Sequence, residues 1–392
     1  MRPDRATDSR FMREALALAE RMLGLTTPNP AVGCVLVRGG RVVGRGATAP
    51  GGRPHAETVA IRRAGTGARG ATAYVTFEPC AHRGQTPPCA EALVRAGVAR
   101  VVVGCLDPYP PVRGRGIAIL RRAGIKVSVG ILEDECRRLN EGFITRVTRR
   151  RPFVLLKLAM SLDGRIATAG GDSKWISSEP ARQMVHRWRR ECDAVMVGAG
   201  TVLADDPRLT CRMRGGRDPV RVIIDAALRT PFDARVFSER STAGAILVTT
   251  AANLARDPLP PLISALQNVP QLYPGASIEV LTAPVLRDRE IDLAALMREF
   301  GRRGWCKVMI EGGAHLAASA LSAGIVDRVA FFVAPKIIGS GLPAVEALSS
   351  AGLGFAKVRD AITLSDFAAE RVGDDWLLHA RPIVRRVRAA RN

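Results

Sequence analysis

One short pattern constrains this chain more than any other feature of its sequence. His55-Ala56-Glu57 is followed by Glu78-Pro79-Cys80 and, nine residues after Cys80, by Cys89. A catalytic zinc ion takes three protein ligands and leaves a position open for water. His55, Cys80 and Cys89 supply three such ligands, and Glu57 is a carboxylate able to move the protons of the water. The pattern therefore predicts a zinc site of the type that deaminates nucleobases.

A noncatalytic zinc site is the alternative interpretation of the same residues. Structural zinc usually has four protein ligands, and His82, which lies between the two cysteines, is the candidate for the fourth. The best-known deaminase spacing is Pro-Cys-x-x-Cys. The longer interval here indicates a particular branch of these enzymes.

Length and composition indicate two or three α/β domains. The chain has 392 residues, of which 47% are hydrophobic and only 5% aromatic, so its cores must be built from Ala, Val, Leu and Ile. The eight cysteines show no disulfide framework, and no apolar run reaches the roughly 18 residues of a transmembrane helix. With no signal peptide pattern at the first residues, we expect a reduced, cytoplasmic protein that does not bind membranes.

In the first half, strands and helices alternate and place the cysteine–histidine pattern at element ends. A helix is expected to start at His55, and its dipole favours an ionised Glu57. Cys80 follows a strand and Cys89 starts a helix, so the two cysteines are expected to reach one metal from two helix starts across a loop. The alternation predicts a mostly parallel sheet. The expected elements are helices 8–23, 55–64, 89–97 and 116–124 and strands 32–38, 41–46, 71–77, 100–105 and 126–130.

A second α/β pattern follows a basic segment at Arg149-Arg150-Arg151-Pro152, which is interpreted as a solvated linker. Leu259–Gly275, with four prolines, is expected to be a surface loop, and Arg381–Asn392 a frayed end. The expected elements of this half are strands 153–158, 194–198, 220–224, 245–249, 278–281, 307–311 and 328–333 and helices 180–191, 293–301 and 315–323.

Two glycine loops in the second half are candidates for dinucleotide binding. Gly312-Gly313 and Gly198-Ala199-Gly200-Thr201 each follow a strand, and the first precedes a helix whose amino end could hold a pyrophosphate. The Gly-x-Gly-x-x-Gly fingerprint is absent, which argues against an ordinary Rossmann domain.

Several short motifs occur together along nearly the whole chain. They are Thr27-Pro28-Asn29-Pro30, Pro54-His55-Ala56-Glu57, Glu78-Pro79-Cys80-Ala81-His82, Thr86-Pro87-Pro88-Cys89, Ser161-Leu162-Asp163-Gly164-Arg165, Thr201-Val202-Leu203-Ala204-Asp205-Asp206-Pro207 and Glu311-Gly312-Gly313. This set is similar to that of one enzyme family, the bifunctional deaminase/reductase of riboflavin biosynthesis. The resemblance implies a cytidine-deaminase-like three-layer α/β domain over residues 1–148 and a dihydrofolate-reductase-like α/β domain over residues 152–385.

The resemblance also implies two reactions and their cofactors. A Zn2+-dependent half deaminates 2,5-diamino-6-(5-phosphoribosylamino)pyrimidin-4(3H)-one, and an NADPH-dependent half then reduces the ribosyl group to ribityl. The partner is thus a small phosphoribosylaminopyrimidine, no nucleic acid is expected, and a homodimer or homotetramer is implied. Which of NADPH and NADH is preferred does not follow from the residues alone.

The resemblance assigns the residues of the second site. Lys157 and Asp205 are the polar groups considered for proton transfer, with a structural ion pair as the alternative role of Lys157. Arg189 and Arg212 could each hold a phosphate through a forked guanidinium, or they are solvated surface arginines. The residues implied for the substrate are Ser173, Arg189, Leu209, Arg212 and Glu311. Those implied for NADPH are Ala159, Trp175, Thr201, Asp205, Ala226, Gly313, Ala314, His315, Leu316, Ala317, Ala318 and Ser319.

Four positions depart from the family pattern. Thr48 replaces a usual His, Gln85 a usual Lys or Arg, and Tyr109 a usual Asn. These three concern the deaminase substrate and not the metal. Ala226 replaces a usual Ser and removes one cofactor hydrogen bond, worth about 1 kcal/mol.

Two alternative functions remain open at the level of the sequence. One is an active reductase that carries a deaminase half of altered or lost specificity. The other is an RNA-binding or RNA-editing deaminase, which the net charge of +21 favours and the scarcity of aromatic residues opposes.

Overall fold

Two units make up the chain. The computed structural model describes residues 5–81, 87–110, 112–238, 241, 243–256, 263, 277–286, 290–346, 355 and 357–383. The first unit comprises residues 1–152 with 304–306, and the second comprises residues 153–303 with 307–392. The domain limits 1–148 and 152–385 stay a prediction.

The first unit is built on a five-stranded sheet in the order β2-β1-β3-β4-β5. β1 runs antiparallel to both β2 and β3, whereas β3, β4 and β5 are parallel. The sheet is therefore mixed and not mostly parallel, because it starts with a hairpin. Its strands are β1 (Gly33–Arg38), β2 (Arg41–Ala47), β3 (Thr72–Phe77), β4 (Arg100–Cys105) and β5 (Lys126–Val129); its helices are α1 (Arg5–Glu20), α2 (Ala56–Ala64), α3 (Cys89–Arg95), α4 (Arg115–Arg122), α5 (Glu133–Leu139) and α6 (Glu141–Arg149).

Glycines on the hairpin show that helices cover both faces of this sheet. A Cβ on Gly33 would lie 1.9 Å from the carbonyl oxygen of Ala15 in α1, and a Cβ on Gly46 would lie 2.0 Å from that of Ala56 in α2. Gly46 pairs with Cys34 and so faces the side opposite to Gly33. The two helices therefore pack on opposite faces, which gives the expected three-layer α/β architecture.

The predicted linker is wrong in its first residues. Arg149 is the last residue of α6, and Arg150 ends that helix in a left-handed conformation with φ of 56°. The apolar face of α6, with Gly142 and Thr145 buried, packs into the unit. The run of arginines hid this periodicity, and α5 was not predicted either.

The second unit contains a nine-stranded sheet in the order β11-β10-β9-β8-β12-β6-β13-β16-β15. The strands from β11 to β13 are parallel, and β16 and β15 continue the sheet in antiparallel fashion. The nine strands are β6 (Phe153–Ser161), β8 (Ala194–Gly198), β9 (Val220–Ile224), β10 (Ala245–Thr249), β11 (Ile278–Thr282), β12 (Lys307–Glu311), β13 (Arg328–Ala334), β15 (Thr363–Val372) and β16 (Asp375–Ile383). Two further strands, β7 (Arg165–Thr168) and β14 (Gly341–Pro343), pair with each other in a separate antiparallel sheet. The helices are α7 (Glu179–Glu191), α8 (Ala199–Asp205), α9 (Arg235–Ser238), α10 (Ala251–Leu254), α11 (Leu293–Arg302) and α12 (Ala314–Ser322).

The carboxyl-terminal hairpin corrects the expectation of a frayed end. Arg381 lies in β16 and pairs with Ser365 of β15. β15 is an edge strand whose side chains are almost all exposed, so it lacks the apolar alternation that makes a strand recognisable in a sequence. Residues 384–392, and most of the predicted loop Leu259–Gly275, lie outside the described residues.

Within the described part of the chain, none of the helices combines the length and apolarity needed to cross a membrane.

Candidate active sites

The three predicted metal ligands lie together in the first unit. His55 caps the amino end of α2, Cys89 is the first residue of α3, and Cys80 lies in the loop after β3. His55 Nδ1 is 3.2 Å from Cys89 Sγ and 3.6 Å from Cys80 Sγ, and the three donor atoms are all within 4.8 Å of one another. Tetrahedral zinc with bonds of about 2.0–2.3 Å separates its ligands by about 3.5 Å, so this donor set fits zinc. Of the two cysteines, Cys89 reaches the cluster from a helix start and Cys80 does not, which corrects the prediction of two helix starts.

Cys80 is the most acidic thiol of the cluster. The Cys89 thiol, His55 and the Cys89 backbone N–H, whose nitrogen is 3.3 Å from Cys80 Sγ, all donate to it. These donors outweigh burial and lower the pKa of Cys80 to about 4. The same hydrogen bond to Cys80, together with burial, raises the pKa of Cys89. A thiolate next to an imidazole and a second thiol is ready to take up a dication.

Glu57 lies on the first turn of α2 and is only 4% exposed. Burial and then the Cys80 charge raise the pKa of Glu57 to about 7, although nearby His55 opposes this shift. Burial therefore outweighs the expected effect of the helix dipole on Glu57. A carboxyl group of this pKa can both accept and release a proton near neutral pH.

A cavity of about 450 Å³ opens beside these residues. Glu78, in its wall, accepts backbone N–H groups from Asp107 at 3.3 Å, Gly114 at 2.9 Å and Gly116 at 3.1 Å. Asp107 Oδ1 in turn accepts the N–H of Tyr109 at 2.7 Å, and burial raises the pKa of Asp107 to about 6. One buried carboxylate therefore fixes the backbone at Asp107, Gly114 and Gly116 beside the cavity.

Two of the four departures from the family pattern, Thr48 and Tyr109, line this cavity. Thr48 lines it and is buried, and its Oγ1 accepts the backbone N–H of Val32 at 3.1 Å. Tyr109 lines the cavity too and is 44% exposed. Gln85 and the possible fourth ligand His82 lie outside the described residues.

Two arginines on the cavity wall were missed by the sequence analysis. Arg53 precedes the zinc pattern by two residues, and Arg146 lies three residues before the predicted linker. Phe143 lines the same cavity and lies three residues before Arg146. Because residues three apart are neighbours on a helix surface, this spacing was the signal that could have identified Arg146.

A larger cavity, of about 1020 Å³, lies in the second unit at the carboxyl ends of β6, β8, β9 and β12. It brings together every predicted reductase residue except two. Ala317 and Ala318 are buried in the core, at 0% and 2% exposure, because α12 turns them away from the cavity. Predicting a continuous segment ignored the helical period. The predicted residues that line the cavity are Lys157, Ala159, Ser173, Trp175, Arg189, Thr201, Asp205, Leu209, Arg212, Ala226, Glu311, Gly313, Ala314, His315, Leu316 and Ser319.

Lys157, Glu311 and Arg189 form a charged group in the wall of this cavity. Lys157 and Glu311 are register partners on the adjacent strands β6 and β12. Arg189 Nε is 2.6 Å and Nη2 is 2.8 Å from the two Glu311 oxygens, and Nη1 donates to Thr210 O at 3.1 Å. The fork of Arg189 is therefore directed to Glu311 and does not present the predicted phosphate-binding edge.

The three charges shift one another. Burial lowers the pKa of Lys157, partly opposed by the Glu311 charge. Burial alone would raise the pKa of Glu311, but the charge and hydrogen bonds of Arg189, with help from Lys157, hold it below its ordinary value. The cavity thus contains a fixed carboxylate next to an amine that deprotonates readily.

A basic cluster missing from the sequence analysis surrounds Arg212. Burial and the charges of Arg189, Arg208 and Arg235 lower the pKa of Arg212. His186 accepts the backbone N–H of Arg212 on Nδ1 at 3.4 Å, and burial followed by the charges of Arg189 and Arg212 lowers the pKa of His186 to about 4. His186 lies three residues before Arg189 on α7, a spacing that places both on one helix face. The excess of positive charge suits an anionic ligand.

Asp205 fixes the loop on the opposite side. Its Oδ1 accepts the hydroxyl of Ser173 at 2.7 Å, and its backbone oxygen accepts Lys174 Nζ at 3.2 Å. Trp175 follows, 62% exposed, with the Arg182 guanidinium 4.6 Å from its ring centre. Ser173, predicted to contact the substrate, and Asp205, predicted to contact NADPH, are thus hydrogen-bonded to each other.

The amino end of α12 has the geometry of a phosphate-binding turn. Gly313 caps the helix with φ of 80°, and a Cβ there would lie 3.1 Å from Thr201 Oγ1. Glycine relieves both the strain and the contact, and it leaves the helix N–H groups accessible to an anion.

Comparison with known proteins gives matches to both units. Residues 5–105 match the cytidine and deoxycytidylate deaminase zinc-binding region, and residues 152–378 match the RibD C-terminal domain. The riboflavin biosynthesis protein RibD of Synechocystis sp. is 41% identical over 372 residues, covering 95% of each chain. That of Escherichia coli is 38% identical over 385 residues, covering 95% of this chain and 98% of its own.

Solved structures agree over almost the full length. A diaminohydroxyphosphoribosylaminopyrimidine deaminase/5-amino-6-(5-phosphoribosylamino)uracil reductase from Thermotoga maritima superposes with a TM-score of 0.81 at 37% identity, covering 97% of this chain and 99% of its own. RibD of Acinetobacter baumannii gives 0.80 at 36% identity, with 97% and 100% coverage. The chain therefore belongs to the RibD family of riboflavin biosynthesis proteins and is a bifunctional enzyme with a deaminase unit and a reductase unit.

Proposed function

We propose that the first unit hydrolytically deaminates 2,5-diamino-6-(5-phosphoribosylamino)pyrimidin-4(3H)-one with Zn2+. We further propose that the second unit reduces the ribosyl group of the product to ribityl with NADPH. The observation that carries the proposal is the presence of two separate cavities, one beside the His55, Cys80 and Cys89 cluster and one around Lys157 and Glu311. The similarity to enzymes that bear both activities in their names supports it.

In the deaminase unit, His55, Cys80 and Cys89 hold the zinc and Glu57 moves the protons. When bound, zinc supplies Lewis-acid activation of a water molecule. Glu57 is not a ligand in this assignment. Its burial at the cavity wall and its raised pKa suit a group that takes a proton from water and delivers one to the departing amino group.

In the reductase unit, the amino ends of α12 and of α8, which contains Thr201, bind the dinucleotide. NADPH supplies the hydride when bound. Gly313 lets the pyrophosphate approach the N–H groups of α12, with His315 and Ser319 further along the same cavity wall. Ala159, Trp175 and Ala226 line the remaining path of the cofactor.

Lys157 is the group we assign to proton delivery as the ribose ring opens. The ring oxygen of the ribose gains a proton in the reaction in which the first ribosyl carbon accepts hydride. Lys157 is half-buried beside Glu311, and burial lowers its pKa, which makes proton release easier. Arg189 acts on Glu311, whereas Ser173 and Asp205 hold the loop over the site.

Arg212 is the residue we assign to the phosphate of the reductase substrate. Its guanidinium lies in the cavity among the like charges of Arg189, Arg208 and Arg235. A dianion in this position relieves their mutual repulsion and accepts charge-assisted hydrogen bonds. Leu209, buried at 3%, supports the loop that carries Arg212.

Mass spectrometry of reaction products tests the proposal. Zinc-loaded protein receives the diaminopyrimidinone with NADPH and, separately, the deaminated intermediate with NADPH. The proposal requires 5-amino-6-(5-phosphoribitylamino)uracil from both reactions. Reduction of the intermediate alone indicates that Thr48, Gln85 and Tyr109 have altered the first site, and no product from either reaction contradicts the assignment.

Cofactor preference and self-association are tested in the same preparation. NADPH is expected to give a lower KM than NADH, since the basic cavity suits the extra phosphate. The implied homodimer or homotetramer stays a prediction that sedimentation velocity decides.

A further inference from the structure

We infer that Arg146, together with Arg53, binds the phosphate of the deaminase substrate. The inference rests on the proposed function, because it concerns the phosphoribosyl group of that substrate. Both arginines line the 450 Å³ cavity that also exposes His55 and Glu57. One molecule held in this cavity can therefore reach the reacting groups and the two cations at the same time.

The hydrogen bonds of Arg146 leave part of its guanidinium for a ligand. Its Nη2 donates to Pro28 O at 2.9 Å, which fixes the plane of the guanidinium. The guanidinium carbon Cζ lies 5.8 Å from the ring centre of Phe143. Its Nε is buried and finds no hydrogen-bond partner among the residues that the structure describes. Its Nη1 makes no hydrogen bond with the described residues and is not among the buried unpaired atoms, so this edge of the guanidinium is the one that a ligand acceptor in the cavity can meet.

The charges in the cavity favour an anion at this position. The acidic side chains of the wall are already engaged: Glu78 accepts three backbone N–H groups, Asp107 accepts one, and Glu57 lies beside the metal ligands. In the part of the chain that the structure describes, none of these three carboxyl groups forms a hydrogen bond or ion pair with Arg146. A phosphate dianion matches the planar fork of an arginine better than any neutral part of the substrate does.

The position of Arg146 on α6 makes it a rigid contact. The helix is buried through Gly142 and Thr145, the latter being adjacent to Arg146. Arg53 lies on the segment leading to His55 and thus connects the anion site to the zinc ligand in sequence. Arg53 and Arg146 thus give the cavity two positive charges, and neither residue is part of the zinc-binding sequence pattern.

The test compares the phosphorylated substrate with its dephosphorylated riboside in zinc-loaded, full-length protein. Arg146→Gln is expected to lower the ratio of kcat/KM for the phosphorylated substrate to that for the riboside by about 10- to 100-fold, the range of a lost charged hydrogen bond. Arg53→Gln is expected to lower it less. Arg149→Gln, an exposed change on the same helix, is the matched control and should leave the ratio unchanged.

Inhibition supplies a second measurement. Ribose 5-phosphate should competitively inhibit deamination of the riboside by the wild type, and R146Q should need at least about 10-fold more of it. Equal losses on both substrates, or unaltered inhibition in R146Q, would overturn the inference and leave Arg146 as a structural contact to Pro28. A wild type that deaminates neither substrate contradicts the proposed function instead.

Discussion

Arg189 meets Glu311 through two parallel hydrogen bonds of 2.6 and 2.8 Å in the wall of the reductase cavity. Their side chains are only 11% and 7% exposed. The contact spans 122 residues of sequence and fixes a carboxylate next to Lys157. It also shows why an arginine assigned to phosphate binding can act through a neighbour.

Removing Arg189 should destabilise the chain as well as impair reduction. Arg189→Met leaves the buried carboxylate of Glu311 without its main partner, which typically costs 3–5 kcal/mol. We expect about 3 kcal/mol, since Lys157 still neighbours Glu311. Chemical denaturation measures this, with exposed Arg187→Met on the same helix as the control. A loss as small as that of the control would show that the pair is not structural.

Removing one zinc ligand should abolish zinc binding and deamination without abolishing reduction. Cys89→Ser should reduce bound zinc from about one per chain to below about 0.1, because the remaining two ligands cannot hold the ion. Deamination should cease while reduction of supplied intermediate changes less than about twofold. Cys136→Ala, which removes a buried thiol from α5 outside the cluster, is the control. Full zinc occupancy in the C89S protein, measured by atomic absorption, would exclude Cys89 as a ligand.

His186 predicts a pH dependence of stability. Its pKa is about 4 in the folded chain and about 6.5 when unfolded, so between these values the unfolded state binds more protons. The contribution of the neutral His186 ring to the free energy of unfolding is therefore fully present above pH 6.5 and is lost as the pH falls toward 4. Because the ring is partly exposed, we expect only about 1 kcal/mol.

Urea unfolding at pH 7 and pH 5 tests this dependence. The wild type should lose more stability between the two values than His186→Asn, which has no titrating group at this position. Identical losses in both proteins would assign the acid sensitivity to other groups.

Gly313 predicts a selective cofactor defect. Gly313→Ala meets both an unfavourable φ of 80° and a contact of 3.1 Å with Thr201 Oγ1, so the KM for NADPH should rise about 10-fold as the turn moves. Gly339→Ala has a similar φ of 76° but nothing within 4 Å and lies outside the cavity lining. An equal effect on KM in both variants would show that backbone strain alone is responsible, and not the contact between residue 313 and Thr201.

The sequence predicted the zinc cluster well because its residues carry strong local signals. His55 and Cys89 lie at helix starts and Cys80 follows a strand, so spacing and element type agree. Gly312 and Gly313 were identified for the same reason. Most strands of both sheets were found because buried parallel strands are continuous apolar runs.

The features that were missed depend on contacts between distant parts of the chain. Nothing local in Arg189 indicates Glu311, and Arg146 could not be separated from a run of arginines until α6 was seen to pack. The edge strand β15 has no apolar face to recognise. The RNA-binding alternative, which rested on net charge alone, is not supported, since the similarity to RibD proteins covers 95% of the chain.

The most direct test of two independent active sites is a product analysis of two complementary variants. Glu57→Gln should leave the diaminopyrimidinone unchanged and still reduce supplied intermediate. Lys157→Met should deaminate the same substrate and accumulate the unreduced phosphoribosylaminouracil. A mixture of the two proteins should then restore formation of the ribityl product. If either single change abolishes both reactions while the protein remains folded, the assignment of separate chemistry to the two cavities is wrong.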